Sequence, residues 1–425
     1  MRKKVLLVGP ILTQSGYGVH CRTIYRALKS REDLFDIFIN PITWGSTSWL
    51  SQDDEERKHI DFLINKTFMY MSKKLPFDTT VMVTIPTEWK QYRAAPINIG
   101  VCAGIESDRA SPQWIDACNS YVDKIIVPSE FAKTSLVNAI WNVKDQQNND
   151  HKLSLNKPVE VVHYPVESDF IEPSKCLHEK LNFEHDFNFL CVAQWGPRKN
   201  IENTIRCFLE EFKNEKVGLV LKLMIKGTST IDFYETRKKI NEILNLFPNR
   251  KCTVHLIHGN LSNKEMSSLF THPKIKAMIN FGHGEGYGLP LFEAAAVGLP
   301  VITHDWGGQK DFLYCPKKDK KGNEKLRSHF SKVSFDLKNI QPEAVWDGVL
   351  QPESQWAFPH LGSCKIAMRE CYEKHHLSLS QAKKLKKWVI ENFSESEINE
   401  KIVDIINENS DNFLSFNIEQ ITLEE

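Results

Sequence analysis

Residues 283–300 read HGEGYGLPLFEAAAVGLP, a glycine-rich segment with one apolar run before it and another after it. The apolar run 276–281 ahead of it predicts a short buried strand, and residues 291–297 predict a helix after the glycine turn. Residues 300–303 form a second apolar run, which predicts the next strand. A strand, a helix and a strand in this order make one βαβ unit, the building block of a parallel α/β sheet.

The start of this helix predicts a site for an anion. Pro290 suits the first helical turn, but Leu289 before it has no side-chain oxygen that could cap the free N–H groups. Free N–H groups, the helix dipole and the close backbone approach that glycine allows together favour a bound phosphate. Glu285 and Glu293 flank this cradle, and a carboxylate there needs hydrogen-bond donors such as sugar hydroxyls. The stretch therefore predicts a phosphorylated sugar as the ligand.

Two other interpretations of the stretch stay open. Glycine-rich turns between a strand and a helix also occur for packing alone. The second interpretation is a dinucleotide site. Asp305 supports it, because this residue follows the next predicted strand, where a ribose-binding acid lies in such sites. The glycines at 284, 286 and 288 alternate, however, and the third glycine of Gly-x-Gly-x-x-Gly is missing. This spacing and Glu285 argue against a dinucleotide.

The stretch resembles the signature of the retaining glycosyltransferases of family four, the glycosyl transferases group 1. The signature has two glutamates separated by seven residues with Gly-aromatic-Gly-Leu-Pro between them, and this chain has all of these. The resemblance implies the α/β fold called GT-B, in which two Rossmann-like domains with parallel sheets face each other across a deep cleft. It implies a catalytic role for Glu285 at the transferred sugar and places Glu293 on the ribose. Further donor-binding residues that it implies are Gly286, Tyr287, Gly288 and Leu289.

A second chemical site follows the apolar run 187–193, which predicts the first strand of another sheet. Arg198 and Lys199 come after that strand at a Gly-Pro turn, so their cations are expected over the crevice at the strand ends. In the family that the chain resembles, this pair binds the donor diphosphate and neutralises charge on the leaving group. The resemblance therefore implies catalytic roles for both residues.

The first half of the chain repeats the pattern of strand, glycine loop and helix. Residues 5–8 predict a buried strand and residues 19–28 a helix, with Gly16 in the loop between them. By the resemblance, Gly16 borders the diphosphate or the acceptor from across the cleft. Glu106 and Asp108 follow an apolar run at the strand end where open α/β sheets bind ligands, so both are expected on the acceptor side.

The acceptor side leaves alternatives open. Many relatives carry a histidine near this strand end, whereas this chain offers Glu106, and Glu106 or Asp108 could instead pair with Arg109. Tryptophans in the same half could form platforms for an acceptor sugar, although core packing is the more ordinary role of such rings. These tryptophans are Trp44, Trp49 and Trp89.

The length of the chain predicts more than one domain. At 425 residues it exceeds the usual limit of a single core, and a charged segment with two prolines, 165–186, predicts the junction. We predict an N-terminal Rossmann-like acceptor-side domain over 1–167 and a C-terminal Rossmann-like donor domain over 168–393. Residues 394–425 are predicted to be a helix and tail that return to the N-terminal domain.

Composition narrows the class of partner and the compartment. Lysine plus arginine equals aspartate plus glutamate, at 54 each, which disfavours nucleic acid as a partner. The ten cysteines include no Cys-x-x-Cys pair, which disfavours a zinc site and indicates a reducing compartment. No apolar run approaches 18 residues, and the basic segments 316–327 and 380–393 indicate at most peripheral membrane contact. We expect a cytoplasmic protein, at most peripheral on the inner face of a membrane.

The resemblance, taken with these residues, predicts a retaining, hexosyltransferase-like glycosyltransferase. It is expected to move a sugar from a UDP- or GDP-linked nucleotide sugar to a hydroxyl of a glycan, lipid-linked or protein acceptor. No Asp-x-Asp triplet occurs in the chain, so the metal–carboxylate clamp of the other glycosyltransferase fold is missing. We therefore expect transfer without a metal or a cofactor. Two alternatives stay open: a GT-B nucleotide-sugar epimerase or hydrolase, and a catalytically silent nucleotide-sugar-binding protein.

Overall fold

The computed structural model describes residues 2–51, 53–144, 149–318 and 324–408. Within these ranges the chain folds into two parallel sheets of six strands each, with helices between the strands. Two-stranded antiparallel ribbons extend from both halves. The first sheet is built from residues before 162 and the second from residues after 187.

Strands and helices alternate through the first half of the chain. The strands are β1 (Lys3–Gly9), β2 (Phe35–Pro41), β3 (Thr79–Val83), β4 (Ile97–Val101), β5 (Lys124–Val127), β6 (Trp141–Lys144), β7 (Asp150–Leu153) and β8 (Val159–Val161). The helices are α1 (Gly16–Lys29), α2 (Glu55–Ser72), α3 (Pro112–Tyr121), α4 (Glu130–Val137) and α5 (Ser168–Ile171). The sheet has the order β2-β1-β3-β4-β5-β8, and all neighbours are parallel.

The strand β1 lies in the interior of this sheet, between β2 and β3. Its residues Val5, Leu6, Leu7 and Val8 are all buried. Successive side chains of a strand point to opposite faces, so a continuous apolar run is what a strand covered on both faces requires. The buried first strand that the sequence predicts is therefore present.

The second half of the chain continues the alternation. Its strands are β9 (Asn188–Gln194), β10 (Gly218–Met224), β11 (Thr253–Ile257), β12 (Ile275–Asn280), β13 (Val301–His304), β14 (Tyr314–Lys318), β15 (Glu324–Ser328), β16 (Ser331–Val333), β17 (Phe335–Asn339) and β18 (Gln355–Pro359). Its helices are α6 (Ile201–Phe212), α7 (Thr230–Leu244), α8 (Asn263–Phe270), α9 (Leu289–Val297), α10 (Lys310–Leu313), α11 (Leu361–Glu373), α12 (His375–Asn392) and α13 (Glu395–Asn407). The second sheet has the order β11-β10-β9-β12-β13-β16, again with parallel neighbours.

The helix α9 begins and ends at glycines. Gly288 at the N-cap has φ 94° and Gly298 at the C-cap has φ 81°, both in the left-handed region that favours glycine. The strands on either side, β12 and β13, are neighbours in parallel register. Residues 275–304 therefore form the βαβ unit that the quoted stretch predicts, within two residues of the predicted bounds.

The helix α13 packs against α1 of the first half. Its side chains Ile398, Ile402 and Ile406 belong to the apolar core of the first sheet. Ser394 caps the helix, because its hydroxyl oxygen accepts a hydrogen bond from the Glu397 N–H at 3.3 Å. The chain thus returns to the first half after completing the second, and the predicted tail beyond residue 408 lies outside the described residues.

Two segments predicted to be loops contain antiparallel strands instead. The polar composition of 145–156 and the lysine-rich composition of 316–327 predict loops. The first segment instead overlaps the β6–β7 ribbon, and the second overlaps the β14–β15 ribbon. The strands of both ribbons are largely exposed, so they lack the apolar alternation that predicts a half-buried strand. Parts of these segments, 145–148 and 319–323, lie outside the described residues.

The basic segment 380–393 has an amphipathic pattern that predicts a helix, and α12 begins at His375, five residues before that segment. Its apolar side chains Leu385 and Val389 are buried in a core that they share with α9. The apolar face of this helix is therefore covered by the protein itself. Among the helices of the described ranges, none is both long enough and apolar enough to cross a membrane.

Candidate active site

A deep cleft lies between the two sheets, at the carboxyl ends of their strands. It encloses a cavity of about 1230 Å³. Arg198, Lys199 and Glu285 line the cavity from the second half, and Gly16 and Glu106 line it from the first. Ligands of open α/β sheets bind at these strand ends. The fold therefore brings residues that are far apart in the sequence to one surface.

Glu285 is the buried centre of the site. Its carboxylate accepts hydrogen bonds from Lys199 Nζ at 2.5 and 2.7 Å and from Arg198 Nη1 at 3.3 Å. Asn280 Nδ2, at the end of β12, donates a further one at 2.9 Å. The Arg–Lys pair lies on the turn after β9, which is the neighbour of β12 in the sheet. Two adjacent strand ends therefore bring three donors to one carboxylate.

Burial and the neighbouring opposite charges shift the pKa values of this cluster in opposite directions. Burial alone would raise the pKa of Glu285, but Lys199 and Arg198 hold it at about 2. Burial, with a contribution from Arg198, lowers the pKa of Lys199 below its ordinary value. Burial alone would also lower the pKa of Arg198, but Glu106 and Glu285 raise it above its ordinary value. Glu285 is therefore an ionised carboxylate at neutral pH.

Glu106 reaches the cluster from the opposite wall of the cleft. Its Oε1 lies 2.9 Å from Arg198 Nη2, so Arg198 bridges one carboxylate from each half of the chain. The two cations Arg198 and Lys199 thus face two carboxylates, and the formal charge of these four side chains is zero. An anion that contacts Arg198 therefore competes with Glu106.

Asp108 lies away from this cluster. Its Oδ1 accepts a hydrogen bond from the backbone N–H of Gln355 at 2.6 Å, and its Oδ2 lies 3.4 Å from Arg109 Nε. Asp108 does not line the cavity. Its carboxylate joins the first half of the chain to β18, and its ion pair with Arg109 is the alternative that the sequence left open.

The N-terminus of α9 presents free donors to the cleft. Gly288 and Leu289 line the cavity, and no side chain caps this helix. Among the described residues, the N–H groups of Gly288 and Leu289 have no hydrogen-bond acceptor, which leaves them available to an anion. A Cβ at Gly286 would lie 2.5 Å from the carbonyl oxygen of Ala103. Only glycine at this position allows the two halves to approach so closely.

Glu293 lies on α9 and is partly buried. Burial, with a contribution from the charge of Glu167, raises the pKa of Glu293 to about 8. Glu167 lines the cavity and accepts a hydrogen bond from Arg26 Nη1 at 3.0 Å. Glu293 itself does not line the cavity. At neutral pH it is mostly protonated, so it can donate as well as accept a hydrogen bond.

Gly16 and Tyr287 differ in exposure and in the space around them. Gly16 is exposed at the start of α1, and a Cβ there would meet no protein atom within 4 Å. Tyr287 is buried, and its ring packs against Tyr164 and Phe312 with centroids 5.0 and 5.1 Å apart. The side chain of Tyr287 therefore belongs to the core beneath the cleft.

The three tryptophans of the first half lie in different environments. Trp89 is fully buried, so it is a core residue. Trp49 is half exposed and does not line the cavity. Trp44 lines the cavity, and its ring lies over Tyr17 with centroids 4.2 Å apart. Of the three, Trp44 is the one placed to contact a ligand.

The second half of the chain matches a known family. Residues 175–314 match the family described as Glycosyl transferases group 1, which is 140 of the 425 residues. The matched range contains Arg198, Lys199, Glu285 and Glu293. No curated protein matches the chain by sequence.

Solved structures similar to this chain span nearly its whole length. They include a sucrose-phosphate synthase from Thermosynechococcus elongatus, with a TM-score of 0.63, 13% identity and coverage of 95% of this chain and 98% of the other. A glycosyltransferase from Rickettsia africae has a TM-score of 0.60 and 14% identity over 97% and 99% of the two chains. Anabaena HepE in complex with UDP and glucose has a TM-score of 0.57 and 12% identity over 95% and 99%. The fold is GT-B.

Two residues of the GT-B cleft were not singled out from the sequence. Asn280 donates to Glu285, and its signal was a polar amide within the apolar run 276–281. Lys222 lines the cavity from β10, and its signal was a single lysine within the apolar run 217–225. In both cases a polar residue inside a buried strand marked the site.

The dinucleotide interpretation finds no support in this GT-B cleft. Asp305 accepts a hydrogen bond from the Tyr314 hydroxyl at 2.6 Å and pairs with Lys332 Nζ at 3.0 Å, and it does not line the cavity. Its neighbour His304 is buried, with Nε2 2.8 Å from the Gly282 carbonyl oxygen. Within the described ranges, no group of three or more histidine, cysteine or acidic side chains is placed to hold a metal ion.

Proposed function

We propose that the protein is a retaining glycosyltransferase that moves a sugar from a nucleotide-diphosphate sugar to an acceptor hydroxyl. The observation that carries the proposal is the cluster of Arg198, Lys199 and Glu285 beside the free N–H groups of α9, at the base of a GT-B cleft. Cations and N–H groups suit a diphosphate, and a buried carboxylate suits sugar hydroxyls. The family match over residues 175–314 supports the class of reaction.

In the proposed reaction the bond from the anomeric carbon to the diphosphate oxygen breaks. The acceptor oxygen forms its bond to the same carbon on the same face, and its proton passes to the departing phosphate oxygen. Arg198, Lys199 and the N–H groups of Gly288 and Leu289 stabilise the charge that grows on the diphosphate. One preorganised donor of this kind contributes roughly 3 kcal/mol. The negative charge of Glu285 holds the sugar and favours its oxocarbenium-like centre.

The other candidate residues take supporting roles in this proposal. When the diphosphate binds Arg198, Glu106 leaves Arg198 and contacts the acceptor substrate instead. Gly16 has no side chain, so it leaves room for the ligand on the facing wall. Glu293 is proposed for the ribose on the family resemblance alone, because it does not line the cavity. A carboxyl with a pKa near 8 can donate to one hydroxyl oxygen and accept from another. Asp108 fixes the junction of the two halves through Gln355.

The proposed donor is a UDP- or GDP-sugar. Anabaena HepE, which shares the fold, is a complex with UDP and glucose, and this supports a uridine donor. We propose residues 1–167 as the acceptor-side domain, 168–393 as the donor domain and 394–425 as the returning segment. The proposed acceptor is a glycan, a lipid-linked sugar or a protein hydroxyl, reached from the cytoplasm with at most peripheral membrane contact.

Product analysis tests this function. The purified protein is incubated with UDP- and GDP-sugars, with and without a panel of acceptors, and products are identified by mass spectrometry and by the anomeric proton coupling in NMR. We expect diphosphate release that depends on an acceptor, and a product with the anomeric configuration of the donor. Glu285→Gln should abolish transfer, whereas Asp305→Asn, outside the cavity, should retain it.

Each part of the proposal has its own contradicting outcome. Sugar release without an acceptor would identify a hydrolase or epimerase, and binding without turnover would identify a silent binding protein. A product of opposite anomeric configuration would exclude retention. Loss of turnover on chelation with EDTA, restored by added divalent cation, would exclude transfer without a metal.

A further inference from the structure

Lys222 is a buried cation in the wall of the cleft. Only 6% of the residue is exposed, yet it lines the cavity. Its Nζ donates one hydrogen bond, to the carbonyl oxygen of Gly259 at 2.5 Å. Among the described residues no carboxylate pairs with Lys222, and burial lowers its pKa to about 8. An ammonium group has three donors, and for two of them the described residues provide no hydrogen-bond acceptor.

Three other cations that line the cleft, Arg26, Arg198 and Lys199, have carboxylate partners. Arg198 and Lys199 contact Glu285, and Arg26 Nε lies 2.7 Å from Glu56 Oε2. A buried ammonium without a counter-charge is costly unless its donors find acceptors. Lys222 can therefore donate hydrogen bonds to uncharged acceptor atoms of a ligand as well as to anionic ones.

The position of Lys222 separates it from the diphosphate site. It lies on β10, and β9 lies between β10 and β12. Neighbouring strands are about 4.8 Å apart, so β10 is about 10 Å from the strand that leads to α9. The cavity extends in this direction, because residues at the ends of β10 and after β11 line it and no residue of β13 does. A nucleotide with its diphosphate at α9 therefore has its base on the side of Lys222.

The loops around Lys222 are held together by one carboxylate. Asp232 accepts hydrogen bonds from the backbone N–H groups of Ile225 and Lys226 at 3.0 and 2.7 Å, and from His258 Nε2 at 2.8 Å. This ties the loop after β10 to the loop after β11, which carries Gly259. The Lys222 ammonium is therefore anchored between two fixed loops rather than on a free side chain.

We infer that Lys222 recognises the base of the donor nucleotide by donating to a keto oxygen, and that the protein prefers a uracil or guanine nucleotide to an adenine nucleotide. This inference rests on the proposed function. Uracil and guanine present keto oxygens that accept from an ammonium group. Adenine has an amino group in the corresponding position, which is a donor and repels a second donor.

Binding calorimetry with UDP, GDP and ADP tests the inference. The chain is compared with Lys222→Met, with Lys222→Arg, and with Lys226→Met as the matched control, because Lys226 is an exposed lysine at the rim of the same cavity. We expect the native protein to bind UDP or GDP more tightly than ADP. Lys222→Met should weaken that preferred nucleotide by roughly tenfold to a hundredfold, the loss expected for a hydrogen bond to a charged group. Its affinity for ADP should change less than about threefold, and Lys226→Met should keep the native preference.

The outcomes separate this inference from the proposed function. If the native protein binds none of the three diphosphates, the proposed donor site fails and the inference fails with it. If the native protein binds them but Lys222→Met weakens all three equally, Lys222 contacts phosphate and the inference alone is wrong. An unchanged profile for Lys222→Met also overturns it. Circular dichroism and retained preference in Lys222→Arg guard against a folding defect.

Discussion

Replacing Glu285 with glutamine should destabilise the protein by about 3 kcal/mol at neutral pH. Glutamine keeps the shape of the side chain but removes the charge that Lys199 and Arg198 contact. The pKa of Glu285 is about 2 against an ordinary 4.5. A tenfold change in proton affinity corresponds to about 1.4 kcal/mol, which converts this difference into about 3 kcal/mol. Breaking a buried ion pair by removing one partner costs about 3–5 kcal/mol, so the two figures agree.

This contribution depends on pH with a definite sign. The folded pKa of Glu285 is depressed, so its stabilisation is fully present above 4.5 and is lost as the pH falls through about 2. Glu293 is the matched control, because its folded pKa of about 8 is raised above 4.5. Above 4.5 its ionisation in the unfolded chain opposes folding. Glu293→Gln should therefore stabilise the protein by about 3 kcal/mol at neutral pH, and this gain should disappear below 4.5.

Urea unfolding followed by tryptophan fluorescence measures both effects. The deficit of Glu285→Gln should shrink by about 1 kcal/mol between neutral pH and about pH 3.5, because one pKa unit of its stabilisation is then lost. The gain of Glu293→Gln should vanish over the same interval. A deficit that stays constant with pH, or the same sign for both variants, would refute the assigned ionisation states.

Three further substitutions probe the cleft and the domain organisation. Glu106→Gln should bind a nucleoside diphosphate about tenfold more tightly in calorimetry, since Arg198 loses a competing carboxylate; unchanged or weaker binding would contradict this exchange. Gly16→Val should leave the melting temperature nearly unchanged, because its Cβ meets no protein atom, but should lower turnover; a large loss of stability would show that the position is structural. Ile402→Ala should cost about 2–5 kcal/mol in the unfolding transition of the first half, where α13 packs; a loss confined to the second half would refute that assignment.

Buried strands account for most of what the sequence could predict of the fold. The strands β1, β9 and β12 are covered on both faces, and the sequences of such strands are continuous apolar runs. The ribbons β6–β7 and β14–β15 are exposed, so their pairing leaves no apolar pattern. The backbone hydrogen bonds that pair their strands do not depend on residue type, so the sequence does not predict them.

From the sequence, a residue of the candidate site could be predicted only where it lies on a turn directly after an apolar run that predicts a strand. Arg198 and Glu285 follow recognisable strand ends, and both line the cleft. The contact of Glu106 with Arg198 could not be predicted, because it depends on the distance between two halves of the chain. The sequence did not predict that Lys222 lines the cleft, because a lysine within a predicted strand does not indicate which cavity its side chain reaches.

The zero net charge of Arg198, Lys199, Glu285 and Glu106 bears on which anions the cleft attracts. An uncovered arginine and lysine would bind the abundant orthophosphate and phosphate esters of the surrounding solution. Here the guanidinium already has a carboxylate from the facing wall, so a simple anion gains little by entering. A ligand that also offers hydroxyls to Glu285 and acceptors to the N–H groups of α9 can displace Glu106. In the proposed function, Glu106 therefore disfavours the binding of phosphate alone.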